Sequence, residues 1–172
     1  KLGIVSPDGR EGMLSHCAQF HEAGTPFVFD PGQGMPLFNG EELMQMVRQA
    51  NYVTLNDYEA QLLQTRTSQP LEQLAREVDA LIVTKGAEGS DFFVGGQTIR
   101  IPAAPVREVV DPTGCGDAFR AGLLYGIAHG LDWETTGRLA SLMGAIKIES
   151  RGGQNHAPSR SEIETRFADA FG

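Results

Sequence analysis

Cysteine is scarce in this chain, with only Cys17 and Cys115 among 172 residues. The two share no metal-ligand spacing and build no disulfide framework, so a reducing, cytoplasmic setting is expected. Basic charge is short as well. Fourteen Lys and Arg stand against 22 Asp and Glu, a net charge of −8, which argues against partners that are nucleic acids or membranes. No apolar run approaches the length of a membrane span, and no signal peptide is evident. Also missing is a Gly-x-Gly-x-x-Gly turn after the first predicted strand, which sets aside a dinucleotide oxidoreductase. What the chain does have is 41% hydrophobic residues punctuated by 21 Gly and 9 Pro, the composition of a globular α/β domain over residues 1–172 with room for a core. It opens directly on a strand without an initiator Met, which predicts a piece of a longer protein.

Strand and helix patterns alternate. Leu2 to Ser6, Pro26 to Asp30, Tyr52 to Leu55 and Ala80 to Thr84 read as strands. Met13, Leu14, Cys17 and Phe20 recur at helical spacing, as do Leu43, Met46 and Val47. A Pro/Gly-rich loop is expected up to Gly40, and a helix from Leu62 to Val78 interrupted at Ser68-Gln69-Pro70. Such alternation needs crossover connections and gives a mostly parallel sheet. Phe92 to Val94 and Thr98 to Ile101, joined at Gly95-Gly96, read as an antiparallel hairpin. Further helices are expected after Asp117, from Leu131 to Ser150, and after a Ser159/Glu162 capping box.

Chemistry concentrates in Val109-Val110-Asp111-Pro112-Thr113-Gly114-Cys115-Gly116-Asp117. A β-branched run, read as a strand, ends in a Gly-rich turn, and a helix follows. The first amides of that helix have no intrahelical acceptor, and its dipole attracts anions. Asp117 in such a nest fits a base facing an acceptor hydroxyl; as a helix cap it is equally at home. Cys115, a thiol at a helix N-terminus, is expected to have a lowered pKa. Asn56-Asp57-Tyr58-Glu59, directly after the third strand, is either a ligand-positioning pair or an N-cap box, and both can hold at once. Thr84-Lys85-Gly86-Ala87-Glu88-Gly89 reads on its own as a glycine-bearing turn into the next strand, and Arg120 is read as an ion-pair partner.

Asp111 to Phe119 resembles the C-terminal signature of the ribokinase-like (phosphofructokinase-B type) carbohydrate and nucleoside kinases. The Asn56/Glu59 pair and the Thr84–Gly89 loop resemble two further motifs of that family, in the same order. The resemblance implies a three-layer α/β/α fold and a kinase that transfers phosphate from ATP to a hydroxyl of a sugar or nucleoside. It implies Asp117 as the catalytic base and the backbone of Gly114, Cys115 and Gly116 as the anion hole. Asn56 and Glu59 are implied in placing magnesium (Mg2+), indirectly, and Thr84, Gly86 and Gly89 in bordering the ATP phosphates. Ser141, Ala145, Gly153 and His156 are implied in lining the adenine pocket, with an ordinary loop histidine as the other reading of His156. A monovalent cation, potassium (K+), is implied between Asp111, Thr113 and the Gly152 loop. Cys115 departs from the small residue usual at its position. The family's N-terminal half and lid have no counterpart here, which leaves a non-catalytic nucleotide-binding or regulatory module as the rival reading. A homodimer, or association with that missing part, is left open. Asp30-Pro31-Gly32-Gln33 with Gly-Gly-Gln-Asn-His at 152–156 is similar to bacterial adenosine-kinase-like proteins.

Overall fold

The computed structural model describes all 172 residues, Lys1–Gly172. A six-stranded sheet runs in sequence order: β1 (Gly3–Val5), β2 (Phe27–Phe29), β3 (Tyr52–Asn56), β4 (Ala80–Thr84), β5 (Ser90–Val94) and β6 (Gln97–Ile101). The first four strands are parallel neighbours. Strands β5 and β6 form the expected hairpin, antiparallel as a two-residue connection requires. The crossovers are α1 (Arg10–Glu22), α2 (Gly40–Gln49) and α3 (Asp57–Thr67), the last followed by the short α4 (Leu71–Leu74). Right-handed crossovers that advance one strand at a time stack their helices on one face, and α1 contacts α2 as α2 contacts α3.

Two compact units divide the chain. The first comprises Lys1–Lys85 with Asp91–Ile99, the second Gly86–Ser90 with Arg100–Gly172. In the first, Met13, Cys17, Phe27, Phe29, Leu43, Met46, Val53, Leu55 and Leu63 form the core, each essentially without solvent exposure. Burial pushes the Cys17 thiol up to about 12, so it behaves as an apolar side chain. Val28, Thr54, Ala80 and Ile82, on the opposite face of the strands, are buried too. That is why these strands read as continuous apolar runs.

The second unit is built on α5 (Cys115–Ala128), α6 (Trp133–Ile148) and α7 (Arg160–Phe171). Helices α5 and α6 lie unusually close. A Cβ added at Gly122 would sit 2.7 Å from the Cα of Ala140, and one at Gly126 would strike the Thr136 side chain. Glycine is required at Gly122 by that approach. Helix α7 is tied to the end of α6 by a two-pronged pair, Arg166 Nη1 and Nη2 donating at 2.8 Å to the two oxygens of Glu149.

Three sequence expectations need correction. The Pro/Gly stretch before Gly40 contains a 3-10 helix over Gly32–Leu37, because turn-forming residues satisfy their amides locally. Val109 and Val110 form no strand. No ladder partner lies beside them, and the Val110 and Asp111 amides instead donate to the Ile148 carbonyl at the end of α6. At α7 the Ser159 hydroxyl accepts from the Glu162 amide, but only this half of the expected capping box forms. No helix is long and apolar enough to cross a membrane.

Candidate active site

In the first unit, β3 and β4 end level, with Asn56 opposite Thr84 in the parallel register. Asn56 is the N-cap of α3. Its Oδ1 accepts from the Glu59 amide at 2.7 Å, and Glu59 Oε2 accepts from the Asn56 amide at 2.8 Å. This reciprocal box holds both side chains at the carboxyl end of the sheet, where open α/β folds receive ligands. It uses one carboxylate oxygen of the buried Glu59 and leaves the other as an acceptor. The Thr84 hydroxyl donates to the Leu55 carbonyl at 3.3 Å. Lys85 pairs with Asp91.

Past Lys85 the backbone turns through a 3-10 segment, Gly86–Glu88, closed by the Gly89 amide on the Gly86 carbonyl at 3.1 Å. These residues begin the second unit.

The second unit brings the signature loop, the Gly152 loop and the end of α6 together. Pro112 to Cys115 is a tight turn: the Cys115 amide donates to the Pro112 carbonyl at 3.1 Å, and Gly114 has φ 81° and ψ 5°. That backbone is the third position of a type II turn, which only glycine adopts freely. A Cβ on Gly114 would also lie 2.9 Å from the Gly153 carbonyl oxygen, so the two loops touch. One expectation changes here. Three amides, from Gly114 to Gly116, were expected to face an anion, yet the Cys115 amide is spent closing the turn. The amides of Gly114, Gly116 and Asp117 donate to no protein carbonyl.

Asp117 is the third residue of α5, and Gly114 is its N-cap. The capping reading of Asp117 is thereby removed. Its side chain is 88% exposed, and its carboxylate meets Arg120 Nη1 at 3.7 Å, the ion pair expected one turn along. The arrangement is an exposed carboxylate beside free helix-end amides, capable of accepting a proton next to a held anion.

Below the loop, Asp111 spends both oxygens on backbone: Oδ1 accepts from the Thr113 amide at 2.9 Å and Oδ2 from the Gly152 amide at 2.7 Å. The Thr113 amide foremost, then that of Gly152, holds its carboxyl down at about 2. Lys147, in the last turn of α6, is fully buried. Its Nζ donates to the carbonyls of Asp111, at 3.0 Å, and Ser150, at 2.8 Å. Sequence reasoning overlooked Lys147; a lone lysine late in an otherwise apolar helical stretch was the available signal. Cys115 also differs from expectation. Its sulfur is partly buried under the loop, and burial raises its pKa rather than lowering it.

Ser141 and Ala145 face inward. The Ser141 hydroxyl accepts from the Ala104 amide at 2.8 Å and donates to the Pro102 carbonyl at 3.0 Å, while Ala145 packs with Ala104, Leu142 and Ile146. The apolar groove of this unit is lined by Leu139, Met143 and Phe167 among others, and neither Ser141 nor Ala145 lines it. His156 is partly buried, with Nδ1 enclosed and unpartnered. No group of three or more His, Cys, Asp or Glu side chains is placed to hold a metal.

The pfkB family carbohydrate kinase model matches residues 2–160. The chain is 31% identical over 151 residues to a nucleoside kinase of Methanocaldococcus jannaschii, covering 88% of this chain and 50% of that protein. It is 32% identical to the ribokinase of Bacillus subtilis, covering 86% of this chain and 48% of that one. Among solved structures, the nucleoside kinase of Burkholderia thailandensis in complex with inosine superposes with a TM-score of 0.98 at 53% identity, over 99% of this chain and 56% of that chain. A structure of the same protein in complex with ADP-inosine gives the same TM-score and identity. The chain thus spans about half the length of the relatives it matches. A family match over nearly the whole of Lys1–Gly172, on a fold shared with those kinases, shows that the chain belongs to the pfkB carbohydrate kinase family.

Proposed function

We propose that this chain is the phosphate-handling part of an ATP-dependent kinase that phosphorylates a hydroxyl of a nucleoside. The observation that carries the reading is the start of α5, where the exposed Asp117 carboxylate stands beside the free amides of Gly114 and Gly116. Asp117 takes the proton of the acceptor hydroxyl as its oxygen attacks the terminal phosphorus of ATP. The free amides hold charge on the transferring phosphoryl group, and ADP departs. Catalysis of this kind is mostly placement and electrostatics.

With no three-carboxylate cluster to grip it, magnesium fits as an ion carried by the ATP phosphates and their waters. Asn56 and Glu59 would orient it through those waters, Glu59 by the carboxylate oxygen that the capping box leaves over. When bound, the ion supplies charge neutralisation across the phosphates. Gly86 and Gly89, whose backbone borders the loop after β4, fit the flank of the same phosphates. The preference for a nucleoside over a free sugar is supported by likeness. The Burkholderia thailandensis protein seen with inosine is 53% identical, against 32% for the Bacillus subtilis ribokinase.

The test is ATP consumption by the intact protein across inosine, adenosine, guanosine, cytidine, ribose and fructose. Nucleoside-dependent ADP release above that with ribose or fructose is expected. Release only with free sugars would move the acceptor to that class. ATP binding without release for any acceptor would favour the non-catalytic module.

A further inference from the structure

We infer that the Lys147 ammonium is the resident cation of the signature loop, occupying the role that a loose potassium ion was expected to fill. The donor set at Asp111, Thr113 and Gly152 does not suit a free cation. Both Asp111 carboxylate oxygens already receive backbone N–H groups, from Thr113 and from Gly152. Each of those oxygens thus has an N–H donor on it already. The Asp111 and Ser150 carbonyls converge instead on Lys147 Nζ, at 3.0 and 2.8 Å.

An ammonium group and a potassium ion are both satisfied by a cage of carbonyl oxygens. The ammonium, however, is covalently fixed to α6 and cannot be diluted away. A fully buried lysine is costly unless its charge is answered. Here it is answered by two carbonyls and by the nearby Asp111 carboxylate, whose proton affinity Lys147 helps to lower. The consequence is positional. Lys147 holds the Asp111 backbone against the end of α6, Asp111 holds Gly152, and Gly114 abuts Gly153. The amides beside Asp117 are thereby set by an internal charge, and the protein needs no added potassium. This inference rests on the kinase reading only where turnover is measured.

The experiment compares the intact wild-type protein with Lys147→Ala in choline, sodium and potassium chloride at equal ionic strength. Both thermal denaturation and ATP- and nucleoside-dependent turnover are followed. Wild-type melting and turnover are expected to be the same in all three salts. Lys147→Ala should lose at least about tenfold in turnover in choline, the scale of one lost hydrogen bond to a charged group. Potassium should restore part of that loss and raise its melting temperature, because the emptied carbonyls accept the ion. A wild-type protein that potassium activates or stabilises over choline would overturn the inference, and so would a Lys147→Ala variant unchanged in choline. If the variant does not fold, the wild-type salt series decides alone. If the wild type turns nothing over in any salt, the kinase reading fails while the melting series still decides the role of Lys147.

Discussion

Asp111 shows how one side chain fixes a loop. Two amides held at 2.9 and 2.7 Å favour its charged form and keep its folded pKa at about 2. An unfolded aspartate titrates near ~3.9. A depressed folded pKa contributes stability that is fully present above the unfolded value and is lost as pH falls through the folded one. The melting temperature of wild type should therefore exceed that of Asp111→Asn above about pH 4, and the gap should close as pH approaches 2. A gap that stays constant over that range would show that the carboxylate charge does not hold the loops. Cys115 teaches the converse at the same scale. Its place at a helix start favours a reactive thiol, but burial, against the opposing charge of Lys147, raises its pKa.

At the scale of elements, the start of α3 and the start of α5 are built differently. Asn56 and Glu59 close the first amides of α3 with side chains. Replacing Asn56 with Ala should cost about 1 kcal/mol, the usual worth of such a cap, measured by denaturant unfolding. On the proposed reading turnover should fall as well; turnover unchanged beside that loss would mark Asn56 as a cap alone. Helix α5 begins on Gly114, which has no side chain to offer, so the Gly116 and Asp117 amides have no capping partner; on the proposed reading an anion takes that place. The capping box was legible in the sequence because its partners are three residues apart. The strand expected at Val109-Val110 was misjudged because β-branched residues signal a strand only where a neighbouring ladder exists. Here their backbone binds the end of α6.

Across the whole molecule, the alternation of strands and helices and the motif-bearing turns were readable because hydrophobic period and glycine placement are local signals. The supports beneath the signature loop were not. Lys147 reaches Asp111 across 36 positions and Asp111 reaches Gly152 across 41, and no short pattern encodes such pairs. The first unit holds Asn56, Glu59 and Thr84 at the carboxyl ends of β3 and β4. The second holds an open carboxylate next to unsatisfied helix-end amides. The claim on which the rest depends is that Asp117 removes the acceptor proton. It is tested most directly by turnover of Asp117→Asn in the intact protein, with ATP binding followed by calorimetry. Asn keeps the size and removes the base, so turnover should fall by about 10²- to 10⁴-fold with ATP affinity retained. Turnover within about twofold of wild type, well inside what loss of a general base costs, would contradict the account.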